Sequence, residues 1–259
     1  FDPSSGTEYD PKTGEGTKLT KLGSEGRSTS TTISTFTILK HLGKNKYKYA
    51  DQKLLSFTDN RQDAALQSGH FNDFMRVVHI RSGIYKALEQ SDDNTLDYST
   101  LSQKIFNALN LDQAEYAASP SDFAGPRIEN ENALKDYLTY RVLYDLRRGW
   151  RVILPNLEQC GLLEISYKHL KENCSLDNYW QSVPYFDQMN HEDREKIVFQ
   201  VLDYFRRSYA IYSAEYLDSD QIGKKRKIIN EKLKPAWKFD DQERIQEPYF
   251  LYYETLNSR

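Results

Sequence analysis

The sequence predicts a mainly α-helical fold with one small α/β element. Three observations carry that reading. Beyond residue 30, apolar residues recur mostly three or four positions apart, the period of one helix face. Only residues 53–59 combine a brief apolar run with an ending suited to a helix start. The chain has 259 residues, 38% of them hydrophobic and 13% aromatic, enough for one large domain or two smaller ones. A mean hydropathy of -0.77 is polar, but 19 Tyr and 12 Phe are too many aromatics for a disordered chain.

Residues 1–32 are dense in Gly, Ser, Thr, Asp and Pro, and Asp2-Pro3 and Asp10-Pro11 mark successive turns. A helix is expected from about Ser28–Thr32 through Ile33, Phe36, Leu39 and Leu42, stopping at Gly43. A polar loop with Lys44, Lys46 and Lys48 follows. Lys53 to Asp59 reads as a short strand, and a helix runs from about Arg61 to Gln90, with Gly69 as a bending point.

A shorter helix is expected over Ser99–Asn110, a loop over Ala117–Pro126, and a long helix over Glu129–Trp150. Pro155–Gly161 reads as a short helix ending in glycine, and Leu162–Tyr167 alternates like a strand. Helix, glycine and short strand are the order of a winged-helix-like unit. The most regular apolar stripe runs from Ile197 to Tyr216, predicting a helix over His191–Tyr216. Ile222–Lys234 is a basic helix closed by Pro235.

Composition excludes some functions. No apolar run is long enough to cross a bilayer, so no membrane partner is expected and a cytoplasmic location is. Cys160 and Cys174 are too few for a disulfide framework and suit a reducing compartment. With His169 and His191 they fit no closed zinc spacing, and no metal site is expected in this chain. His70 and His79 are nine residues apart, too far round a helix for an i, i+4 ligand pair. A net charge of -3 argues against a wholesale basic nucleic-acid binder but leaves room for a local basic stripe.

The segment from Leu54 to Phe74 carries the most chemistry. A strand there delivers a polar turn to a helix N-terminus, where unpaired N–H groups and the dipole attract anions. Thr58, Asn60 and Arg61 are thereby placed to meet a nucleic-acid backbone. The competing structural reading has Asp59 cap the helix and Arg61 pair with a carboxylate. Asp63 suits the helix dipole, whereas Arg61 opposes it and calls for an external partner, a phosphate or a carboxylate across a cleft.

This segment, Ser56-Phe57-Thr58-Asp59-Asn60-Arg61-Gln62-Asp63-Ala64-Ala65-Leu66-Gln67 and onward to Phe74, resembles the opening motif of the second RecA-like domain of superfamily 2 helicases. More narrowly it is similar to large bacterial DEAD/DEAH-type helicases, with Ser68 in place of their Ala. Residues 17–29 and Leu154-Pro155-Asn156-Leu157-Glu158-Gln159-Cys160-Gly161-Leu162-Leu163 resemble the same group.

The resemblance implies three parts. Residues 1–52 are a turn-rich segment and connecting helix, 53–90 the strand–helix start of a partial RecA-like domain, and 91–259 a helical accessory region or insertion. It implies a piece of a longer ATP-dependent DNA helicase or translocase, with DNA and the remainder of that chain as partners and phage defence as one setting. A start at Phe1 and an end at Arg259 without a closing element agree with a piece.

ATP and Mg are expected for the parent protein, but no cofactor for this chain. It has neither a Gly-x-x-x-x-Gly-Lys-Ser/Thr loop nor an acidic box for magnesium, and no recognisable arginine-finger motif. The isolated chain is expected to hydrolyse no ATP.

Further basic groups are Lys224, Lys225, Arg226 and Lys227 on the last helix, which reads either as a phosphate contact or as a solvated face. Arg147-Arg148 with Trp150-Arg151, and Phe205-Arg206-Arg207, mix basic and aromatic character as single-strand grooves do. The alternative from a different functional class is a non-catalytic helical module that binds a protein partner.

Overall fold

The computed structural model describes residues 25–44, 76–146, 156–241 and 243–248. Eight α-helices lie in these stretches: α1 (Glu25–Lys44), α2 (76–89), α3 (Tyr98–Leu109), α4 (Gln113–Tyr116), α5 (Ala124–Asp145), α6 (Leu170–Ser175), α7 (His191–Arg207) and α8 (Ser219–Lys232), with single 3-10 turns at Asp177–Tyr179 and Pro235–Trp237. The fold is mainly α. Among the described residues the β-structure is a single antiparallel bridge, Ala117 to Leu233. The expected strand 53–59, the bend at Gly69 and most of the 53–90 element lie outside the described residues.

Helix ends follow local chemistry. Asp97 caps α3 by accepting the Ser99 N–H at 2.9 Å, and Asn110 closes it in the left-handed conformation that asparagine tolerates. Asn190 caps α7 through the Asp193 N–H at 2.8 Å. Acids Glu192 and Asp193 fill its first turn and Arg206 and Arg207 its last, each complementing the dipole. Asp218 caps α8.

The core forms around α5. Its residues Leu134, Tyr137 and Leu138 are fully buried and meet Ile105 of α3, Ile229 of α8 and Ile80 and Ile84 of α2. Gly83 lets α2 come close to α3: a Cβ there would lie 2.9 Å from Leu109 Cδ2. The Ala117–Leu233 bridge ties the segment after α4 to the end of α8, with Ala118 N–H donating to Lys232 and Lys234 N–H to Tyr116. Trp237 and Phe239 then fold back onto Tyr137.

The structure departs from the sequence expectations in four places. α5 starts at Ala124 rather than Glu129, because Pro126 falls in its first turn, where a missing N–H costs no bond. Residues 157–161 are turns rather than a helix, shaped by the reciprocal Asn156–Gln159 hydrogen bonds and Gly161 at φ 68°. Residues 162–167 form neither a helix nor a paired strand, so the winged-helix-like order is not realised among the described residues. α7 ends at Arg207, and Tyr209 at φ 59° turns the chain away, so Tyr212 and Tyr216 leave the predicted stripe.

Among the described residues no helix is long and apolar enough to cross a membrane.

Candidate nucleic-acid interface

Of the sequence-predicted contact residues, Thr58, Asn60 and Arg61 lie outside the described residues, as do Arg147, Arg148, Trp150 and Arg151. The basic run on α8 is described, and the helix divides it. Lys225 turns inward: its Nζ sits 2.8 Å from Asp136 Oδ1, 3.5 Å from Glu215 Oε1 and 4.3 Å from the centre of the Tyr216 ring. Arg226 donates to the carbonyls of Asp240 and Asp241 at 2.9 and 3.2 Å, tying α8 to the following chain. Lys224 and Lys227 are exposed and make no hydrogen bond or ion pair among the described residues.

A spacing of three puts Lys224 and Lys227 on one face of α8. Ile228 beside them is 46% exposed. Lys232, two-thirds buried one turn further on, pairs with Glu129 at 2.6 Å, which raises its pKa. The outward basic face is therefore two lysines wide.

The inward side of the same helix is a polar seam rather than a site. The Tyr216 hydroxyl donates to Asp136 and the Tyr140 hydroxyl to the Tyr216 carbonyl, both at 2.9 Å. Burial is the main cause that pushes both phenols well above the usual tyrosine range, so they stay protonated donors.

Arg206 and Arg207 are engaged as well. Arg206 reaches both Glu158 oxygens at 2.8 and 3.0 Å, the Leu146 carbonyl at 2.9 Å, and Asp203. Arg207 pairs with Asp203 at 2.8 Å and Glu158 at 3.3 Å. These two arginines join the end of α5, the turn at 156–161 and α7, which removes them from any phosphate groove. The sequence offers no sign of this, because Glu158 is 48 residues from Arg206.

The described histidines and cysteines do not gather into one site. His169 pairs with Glu172 at 2.6 Å and His191 with Asp177 at 3.2 Å. Cys160 is exposed and Cys174 buried, and among the described residues no three His, Cys, Asp or Glu side chains converge as metal ligands would. Comparison with known proteins finds no matching family model, no matching curated protein and no matching solved structure.

Proposed function

We propose that this chain is a segment of an ATP-dependent superfamily 2 DNA helicase or translocase, carrying the start of its second RecA-like domain and a helical accessory region that touches the nucleic-acid backbone. The observation that carries the reading is the Ser56–Phe74 motif, whose length and residue order resemble that family. Thr58, Asn60 and Arg61 would meet phosphates at the head of the first motor helix. On the accessory side the contact narrows from four residues to Lys224 and Lys227, the two cations of the run that make no bond among the described residues. ATP and Mg would be held by the parent protein.

The test is DNA binding by the whole chain, followed by fluorescence anisotropy of a single-stranded oligonucleotide across a salt series. On a single strand, removing one phosphate-binding cation should lower the slope of log affinity against log salt by about 0.7, so K224A/K227A should lower it by roughly 1.4. K225A should instead destabilise the fold. Binding that ignores salt, or a double variant with the parent slope, would sink the phosphate-contact reading.

One observation favours the second reading, a helical module for a protein partner. Ile197, Val201, Tyr204 and Phe205 line the outer side of α7 and are 38 to 51% exposed. Such a module would bind DNA no better than its net charge of -3 allows.

A further inference from the structure

α8 carries a glycine that its own fold does not require. Gly223 lies in the second turn of the helix, is exposed, and keeps ordinary helical backbone. A Cβ placed there would meet no atom of a neighbouring element within 4 Å among the described residues. Gly83 differs, since a Cβ there would press on Leu109, and so does Gly161, whose φ of 68° favours glycine. Gly125 is as open as Gly223, but the cation near it, Arg127, is paired with Glu131. Only proline suits a helix interior less than glycine does. The bare backbone at 223 therefore lowers the stability of α8, and no internal contact uses it.

That bare stretch lies among the free cations of the helix. Gly223 is four residues before Lys227, on the same face, and Lys224 adjoins it. Both lysines are exposed and make no ion pair or hydrogen bond among the described residues, whereas Lys225 and Arg226 are engaged. Acids bound this window along the helix axis. Asp220 stands three residues before Gly223 and Glu231 four after Lys227, both exposed. A polyanion lying along α8 would run onto one of these carboxylates. One that crosses the helix at Gly223 meets the two lysines alone.

We propose that a nucleic-acid strand crosses α8 over Gly223, its sugar–phosphate backbone against the bare helix and between the reach of Lys224 and Lys227. The inference rests on the phosphate-contact reading of those lysines, and adds to it the point of closest approach and the direction of the strand. A side chain at 223 would hold the strand off the helix surface. Glycine is the residue that lets a ligand come close to a backbone. A second helix could use the same opening, but two unpaired cations beside the glycine favour a chain of phosphates.

The test compares Gly223→Ala and Gly223→Leu with the parent chain, by thermal unfolding and by anisotropy of a single-stranded oligothymidylate across a salt series. Both residues suit a helix better than glycine and meet no neighbouring element, so both variants should melt about 2 to 4 °C higher. Binding should move the other way, weaker by about threefold in Gly223→Ala and by about tenfold in Gly223→Leu. The loss should be the same at every salt concentration, because both lysines remain, whereas K224A/K227A lowers the salt slope. Full affinity in a stabilised Gly223→Leu would overturn the crossing and leave the phosphate contact standing. Salt-independent binding by the parent chain would overturn both. A lower melting temperature in Gly223→Ala would show that the fold itself needs the glycine, and would overturn the proposal as well.

Discussion

Around α5 the side chains withdrawn from solvent are Ile105, Leu134, Tyr137, Leu138 and Ile229; along α7 they are Arg194, Asp203 and Arg206. Both regions are helical, yet one is held by apolar area and the other by directed bonds. Arg194 shows what the second mode needs. It is 1% exposed and donates to the carbonyls of Cys174, Phe186 and Met189 at 2.7 to 3.0 Å, and to Asp177 at 3.0 Å. Its guanidinium faces Trp180, which stacks on Phe186. One side chain thus gathers residues 174–189 onto the first turn of α7. Apolar packing tolerates many shapes of filling, whereas a fan of hydrogen bonds tolerates one.

The comparison breaks first at the apolar core. Leu138→Ala removes a fully buried side chain of α5, and its cost should be about 2 to 5 kcal/mol in denaturant unfolding. Leu138→Met, close in volume, should cost less than about 1.5 kcal/mol. A conservative replacement is therefore forgiven in this region.

In the arginine-held region it should not be. Arg194→Ala leaves three carbonyls without their donor, for a cost of about 2 to 3 kcal/mol. Arg194→Lys should recover little of it, because one ammonium cannot span carbonyls that two guanidinium nitrogens share. Limited proteolysis within 174–189 should accelerate in both variants while the α5 core keeps its hydrogen-exchange protection. Rescue by lysine would show that charge alone, rather than the fan of bonds, holds this loop.

These contrasts explain what could be read in the sequence. The apolar spacing of α5 announces it, because spacing and packing coincide there, while α8 is announced by its basic run and the closing Pro235. Period alone does not say where a helix stops or which way it faces. Tyr209 ends α7 by a backbone turn at φ 59° that no residue type announces, and Arg194 looks like an ordinary surface cation. The run Lys224–Lys227 is legible as basic, but which cations stay free depends on Asp136 and on the carbonyls of Asp240 and Asp241, far along the chain.

Acid offers a gentler probe of the apolar region. His79 sits between the Phe36 ring of α1 at 5.7 Å and the Trp237 ring at 6.0 Å. Burial, with a further push from Lys40, lowers its pKa below the usual imidazole value; Glu115 opposes this and Lys86 adds to it. The folded state therefore favours neutral His79, and the unfolded chain binds the proton first. The stability from this group is complete above the unfolded pKa near 6.5 and declines as pH falls below it toward the folded value. Hydrogen-exchange protection in α1, with the intrinsic pH dependence of amide exchange divided out, should fall as the pH drops below about 6.5, and His79→Phe should remove that dependence. Equal pH dependence in the variant would assign the effect to other groups.

The smallest effect is expected on the outer side of α7, and it bears directly on how the region is held. Ile197, Val198, Val201, Leu202 and Phe205 begin the most regular apolar stripe in the sequence, the pattern that ordinarily marks a core-facing helix. In the structure Ile197, Val201 and Phe205 are exposed, Val201 at 43%, and Val198 and Leu202 are half-buried, while Arg206 turns inward to Glu158 and Asp203. If directed bonds hold α7, the stripe adds little to folding. Val201→Ser should then shift unfolding by no more than about 0.5 kcal/mol, as exposed substitutions do. Arg206→Met, which keeps the stem but removes the guanidinium, should cost more, because Glu158 and Asp203 lose the more buried of the two arginines between them and keep Arg207 alone. A destabilisation by Val201→Ser of the size expected for Leu138→Ala would mean that the stripe is packed in solution, and that α7 is held like α5 after all.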